Sequence, residues 1–309
     1  MKPVRKLLCV LLSVLVLAAS AFPSVHAACL LNRGTHKEHE YTISKKLQSE
    51  LNKIYDRYDF SIAWGLYDIS GKTLKEVASY HAGQKFQSNC TIKAMMLLYI
   101  CKQMDAGKLS LDTKLKVNLS QLSYDDFGSG SGKYTVQYLL KRMIHISNNT
   151  SYEVLLRYVG RDKFNAFIKS LGSGTVVESY NYMGECTTKD RATEWFALYH
   201  YCHSGAKHAS YAWDVLCKAR SSPIRDGIGR PAAHKSGWYY SSGSSGTAGD
   251  CAVVQTENGG CYLMIIFTKN HASGRYSMDL IEELAATLDR VWDEYYLSIP
   301  RCRRKKAAF

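Results

Sequence analysis

An unbroken apolar run, Ala94-Met95-Met96-Leu97-Leu98-Tyr99-Ile100, follows directly on Cys90-Thr91-Ile92-Lys93. A helix that is apolar on every side must be wrapped by other elements, so this run predicts a helix at the centre of a large core. The residues at its head carry chemistry. A lysine three residues after a cysteine lies one turn along on the same face. An amine held there can take a proton from a nucleophile, and a cation beside a helix start lowers a thiol pKa.

The elements that would do the wrapping are legible from periodicity. Ile43, Leu47, Leu51, Ile54, Tyr55 and Tyr58 fall at helical spacing over 42–58. Phe60, Ile62, Trp64 and Leu66 alternate as a strand, and Ser70-Gly71-Lys72 turns it into a partner at Leu74–Tyr80. Helices are predicted at 91–105, 135–146, 150–159, 161–171, 188–203 and near 209–220. Strands return at Ala233–Tyr240, Asp250–Thr256 and Cys261–Lys269, with Glu257-Asn258-Gly259-Gly260 as the turn between the last two. Ile281, Leu284, Leu288, Val291 and Tyr295 close the chain with an amphipathic helix. This order predicts an α+β fold, an antiparallel sheet flanked by the terminal helices with an all-helical subdomain inserted. The sheet layer would come from about 40–85 and 225–300, the helical part from about 90–220, and the site would lie between them.

Two further segments accompany Cys90-Thr91-Ile92-Lys93. Ser147-Asn148-Asn149 follows a predicted helix, and Lys235-Ser236-Gly237 lies on a predicted strand. Together they resemble, in order, the S-x-x-K, S-D-N and K-T-G elements of the class A β-lactamase and penicillin-binding group. The resemblance spans nearly all of the chain after its first residues. Phe86-Gln87-Ser88-Asn89 looks like the approach to the family's nucleophile turn, and Tyr134–Leu140 with Met143–Thr150 looks like the helix leading into S-D-N. Cys90 stands where the family has serine, and Asn148 where it has aspartate.

The resemblance implies roles. Cys90 would be the nucleophile and Lys93 its base. Ser147 would pass a proton to the leaving nitrogen, and Lys235 would polarise Ser147 and attract a carboxylate. Asn149 would hold the substrate's amide side chain, and Ser236 would bind the carboxylate. Gly237 would line the strand, and the backbone N–H of Trp238 would join that of Cys90 as oxyanion donors. The family's deacylating glutamate lies on a long loop, which here shrinks to the segment between Gly172 and Thr187. Glu178 is the candidate base in it. Without a working base the acyl-enzyme would persist, as in a penicillin-binding protein or a slow hydrolase. Two readings stand beside this one: a catalytically inactive wall-binding protein that keeps the groove, and a cysteine-dependent peptidoglycan peptidase or transpeptidase. No cofactor is implied. The expected partners are a β-lactam or a peptidoglycan stem peptide, and the expected state is a monomer.

The first residues agree with such substrates. Met1-Lys2-Pro3-Val4-Arg5-Lys6, an apolar stretch to Phe22 and the small-x-small Val25-His26-Ala27 read as a secretory signal peptide over 1–27, with a single domain over 28–309. A lipidated Cys29 is the alternative, weakened by His26, where such signals carry an aliphatic residue. The chain's formal charge of +13 falls to +10 once Lys2, Arg5 and Lys6 leave with the signal. A basic exported protein is attracted to anionic wall polymers, and nothing in the motifs points to nucleic acid. Ten cysteines are encoded and Cys9 lies in the signal. Outside the cell thiols tend to pair, so the odd remainder predicts up to four disulfides with Cys90 left free. Cys29 with Cys302 is the pairing that the family's packed terminal helices imply. Gly128-Ser129-Gly130-Ser131-Gly132-Lys133 fails the phosphate-loop pattern, with Phe127 and Tyr134 at its key positions, and reads as a loop on the groove's rim. His200, Cys202, His203 and His208 match no zinc spacing, so no metal site is predicted.

Overall fold

The computed structural model describes residues 41–58, 60–179, 181–239, 246–270, 274–301 and 304. The signal segment, Cys29 and Cys302 lie outside them. In chain order the elements are α1 (Lys45–Arg57), β1 (Ser61–Asp68), β2 (Lys75–Tyr80), β3 (Phe86–Gln87), a 3-10 turn (Asn89–Ile92) and α2 (Lys93–Asp105). There follow β4 (Lys114–Val117), β5 (Gly132–Thr135), α3 (Val136–His145), α4 (Asn149–Val159), α5 (Arg161–Ser170), β6 (Glu185–Cys186), α6 (Thr188–Cys202), α7 (Ala209–Cys217) and α8 (Pro223–Ile228). The chain closes with β7 (Ala232–Tyr239), β8 (Gly246–Gln255), β9 (Cys261–Asn270) and α9 (Gly274–Ser298).

The main sheet is antiparallel, in the order β2-β1-β9-β8-β7. The first strands of the chain thus pair with the last, and the helical block between them is inserted, as the sequence predicts. The sheet divides two cores. On one face α1 and α9 bury Leu47, Leu51 and Ile54 against Leu284, Leu288 and Trp292. On the other face α2 is surrounded, and Ala94 through Leu98 are fully buried. A helix cannot expose a polar face when every side is covered, so its one charged head residue, Lys93, must find its partners inside the protein.

Three local expectations are corrected. Gly132 and Lys133 are not loop but the start of β5, which pairs with β4 across the excursion 118–131. Helix α8 was not predicted. Ser222 accepts from Arg225 N and Pro223 sits at the first turn, a cap signature too short to show helical periodicity. The cysteines also differ from expectation. Among the described residues Cys90, Cys101, Cys186, Cys202, Cys217, Cys251 and Cys261 are all free thiols, and no disulfide is present. Most are buried in the two-layer core, where a thiol packs as a small apolar group. An odd count therefore does not single out Cys90; its surroundings must do so.

Candidate active site

The 3-10 turn presents Cys90 at the head of α2. Asn89 before it takes a left-handed conformation (φ 49°), tolerated best by Asn among residues with a side chain. The Asn89 amide is tied to β8, donating to Thr247 Oγ1 at 3.1 Å. Cys90 itself remains partly exposed.

Lys93 is completely buried, yet every donor of its ammonium group has an acceptor. Nζ lies 3.1 Å from Cys90 Sγ, 2.6 Å from the Ser147 carbonyl and 2.6 Å from Asn149 Oδ1. Three donors meet three acceptors, which offsets the cost of burying the group. The Cys90 thiol also reaches Asn149 Oδ1, at 3.6 Å. One turn and one helix terminus, 54 residues apart in the chain, are thus locked around a single amine.

Ser147 closes the second side. Its backbone is left-handed (φ 59°), which turns the carbonyl towards Lys93. Its hydroxyl accepts from Lys235 Nζ at 2.9 Å, and its side chain is among the groups that lower the Cys90 pKa. Lys235 arrives from β7, an edge strand, and its Nζ also donates to the Ser236 carbonyl at 2.5 Å. Burial pushes the Lys235 ammonium down to about 8, against the opposing pull of Cys90. At Cys90 the balance is different. Burial raises its pKa, but the Lys93 and Lys235 cations and the hydrogen bonds from Ser147 and Lys93 outweigh it, and the thiol lies below its ordinary range.

Gly237 explains how β7 comes so near. A Cβ built there would stand 2.2 Å from the Cys90 backbone nitrogen and 2.8 Å from its Cα. Only a residue without a side chain lets the strand lie along the nucleophile turn. Trp238 follows, substantially exposed at the end of the edge strand. Alternate N–H groups of such a strand have no sheet partner on the outer side and can face a ligand.

Asp126 was not anticipated from sequence. Asn148 caps α4 by accepting from Ser151 N at 2.8 Å, and its amide donates to Asp126. The Asp126 carboxylate also accepts from Asn149 N at 2.7 Å, Thr150 N at 2.8 Å and Thr150 Oγ1 at 2.8 Å. An acid at a helix N-terminus is favourable on dipole grounds as well. The second residue of the Asp125-Asp126 pair, in a loop 23 residues upstream, carries no sequence signal for this role. Asp126→Ala is expected to cost about 2 kcal/mol of stability, since Asp126 is solvent-exposed and part of the loss is recovered by water. It should also slow chemistry at Cys90 by loosening Asn149. Urea unfolding checks the first effect, and a wild-type midpoint would refute it.

Glu178 is held locally. It lies half-buried on the short segment after α5, and its N–H donates to the Asn181 carbonyl at 3.1 Å. Among the described residues no hydrogen bond ties it to the set around Cys90. The histidines diverge: at the end of α6 His203 Nδ1 meets the Tyr199 carbonyl at 2.8 Å, and at the start of α7 His208 Nδ1 meets Asp105 at 2.7 Å.

Residues 46–295 match the family described as "Beta-lactamase enzyme family". The chain belongs to that family. Membership makes it a hydrolase-like enzyme, and the fold agrees. PBP-A superposes with a TM-score of 0.68 at 17% identity, over 82% of this chain and 100% of that chain. The TLA-1 extended-spectrum β-lactamase gives 0.71 at 16% identity, over 81% and 99%. A class A β-lactamase from Bacteroides cellulosilyticus gives 0.68 at 18% identity, over 82% and 99%. At such identities the likeness is one of fold: the β-lactamase-like sheet with its inserted helices. A comparison with curated proteins finds no match.

Within this β-lactamase-family fold, Cys90, Lys93, Ser147, Asn149 and Lys235 share one hydrogen-bonded set. Ser236, Gly237 and Trp238 lie beside it on β7.

Proposed function

We propose that the protein is an exported acyl-transfer enzyme that opens β-lactams or cell-wall peptides through a thioester at Cys90. The observation that carries this reading is the position of Cys90 Sγ, 3.1 Å from Lys93 Nζ, with Ser147 held by Lys235 on its other side. A PBP-A variant is known as an acyl-enzyme complex with penicillin G, on the same fold. The basic charge and the N-terminal segment support export to the wall.

In this mechanism the Cys90 thiolate attacks the amide carbonyl, and a C–S bond forms. The oxyanion takes the backbone N–H groups of Cys90 and Trp238. The C–N bond then breaks, and the Ser147 hydroxyl delivers its proton to the departing nitrogen. Lys235 Nζ, 2.9 Å from Ser147 Oγ, passes a proton on to that oxygen as it gives up its own, so no alkoxide is left, and the lysine regains its proton from solvent. Asn149 holds the substrate's amide. With the deacylation loop reduced to the segment between Gly172 and Thr187, water attack on the thioester is slow, and an amine competes well for the acyl group. Incubation with a penicillin should add its full mass once, because the opened ring stays attached. Absence of any adduct in the wild type and in Cys90→Ser would replace this reading with that of a wall-binding protein.

Alkylation tests the thiolate independently. Burial and Asp214 push Cys217, the exposed one among the described cysteines, up to about 11, whereas Cys90 lies below the usual thiol range. At neutral pH Cys90 should react with iodoacetamide more than about tenfold faster, its larger thiolate fraction outweighing its lower intrinsic nucleophilicity. The rate should fall as pH drops through the lowered pKa of Cys90. Peptide mapping after a short pulse reads this, and labelling of Cys217 first would contradict it.

A further inference from the structure

The turn that carries Cys90 is held in a strained shape. Asn89, directly before the nucleophile, has a φ of 49°, and such a conformation persists only where the surroundings fix it. Thr91, directly after it, supplies one anchor. Its N–H and its hydroxyl both donate to the Ser88 carbonyl, at 3.2 and 2.5 Å. The same hydroxyl accepts from Arg191 Nε at 3.2 Å. A guanidinium can only donate and a carbonyl can only accept, so both directions are forced.

Arg191 lies near the start of α6 and is completely buried. Its Nη1 pairs with Glu194, which is completely buried as well. Burial pushes the neighbouring Cys186 thiol up to about 11 and holds the Cys251 thiol well above its usual range. Both thiols are therefore neutral, and Glu194 balances the charge. Glu194 also reaches the other way. Its Oε1 meets Ser173 Oγ at 2.6 Å, and Ser173 Oγ accepts from Thr175 N at 3.1 Å. Ser173 and Thr175 open the short segment between Gly172 and Thr187. The far end of that segment returns to the same place. Cys186 pairs with Phe86, the Gly184 carbonyl accepts from Ser88 N at 2.9 Å, and Asp190 accepts from Gly174 N at 2.7 Å and Thr187 N at 2.9 Å. One buried ion pair thus stands between segment and turn, with Arg191 on Thr91 and Glu194 on Ser173.

Well-packed apolar residues in place of a buried ion pair are often as stable or more so. What the pair adds is its hold on two segments at once. We propose that Arg191 and Glu194 are positioning residues that fasten the start of the short segment to the turn carrying Cys90, keeping the Cys90 N–H where the oxyanion forms. The rate effect rests on the acyl-transfer reading, whereas the fastening does not.

The test uses the full chain with Arg191→Met and Glu194→Leu combined. The urea midpoint should stay at or above that of wild type. Amide exchange at Thr91 and at Thr175 should nonetheless quicken together, by about tenfold. Penicillin adduct formation, read by intact mass, should slow about tenfold through misplacement of the turn. The pH midpoint for iodoacetamide labelling of Cys90 should not move, because Lys93 and Lys235 are the cations that lower its pKa. Thr91→Val should slow adduct formation similarly, and Thr91→Ser, which keeps the hydroxyl, should restore it. Unchanged exchange at both amides, or Thr91→Val as fast as wild type, would overturn the inference. So would a slowing that merely follows a fallen urea midpoint, since that marks the pair as structural alone. If wild type gives no adduct while Cys90 is still alkylated, the acyl-transfer reading fails, and amide exchange still decides the fastening.

Discussion

Lys93→Met is expected to slow acylation of Cys90 by about a thousandfold, within the range for losing both a proton-handling group and a charge beside the nucleophile. Methionine is close in volume, so the buried site can be filled. What disappears is the cation 3.1 Å from Cys90 Sγ and the donor to both the Ser147 carbonyl and Asn149 Oδ1. The pH midpoint for alkylation of Cys90 should rise, because Lys93 is among the causes that hold its pKa down. A purely structural role would alter stability without moving that midpoint. An acylation rate within about threefold of wild type, with an unchanged midpoint, would remove Lys93 from the mechanism.

Gly237→Ala should be nearly as damaging for a different reason. The new methyl would lie 2.2 Å from the Cys90 nitrogen and 2.8 Å from Cys90 Cα. These are backbone atoms, so no side-chain rotation relieves the clash. Either β7 moves out or the nucleophile turn moves in. Both separate the Cys90 N–H from that of Trp238, and losing one oxyanion donor costs about a hundredfold to a thousandfold in rate. The strain should also remove about 1–3 kcal/mol of stability. Acylation kinetics with a thermal unfolding curve would check both. A variant as fast as wild type would show that the two segments need not touch during catalysis.

Much of the architecture was legible because its signals are local. The apolar run after Lys93 required a central helix, and the alternation at Phe60–Leu66 and the turn at Glu257–Gly260 required strands. The wrapped sheet followed from their order. The elements that escaped are those without a period. Helix α8 is a short capped turn, and β4 and β5 are four-residue strands joined across a loop. Cysteine parity misled because pairing depends on where sulfurs meet in space. In the fold Cys101, Cys186 and Cys251 are buried as core residues.

The sequence by itself determined the reactive types and their order: a thiol, a lysine one turn on, a serine with an amide two residues later, and a second lysine two residues before a glycine. Those facts are local, since spacing along a helix or strand settles them. Tertiary structure decided what these groups do to one another. Only folding places the Ser147 carbonyl and Asn149 on the Lys93 amine and sets two cations against burial at Cys90. Only folding shows that Asp126 holds the start of α4. Hydrogen bonds and charge interactions fall off within a few ångströms, so residues distant in the chain act together only where the packed layers bring them into contact.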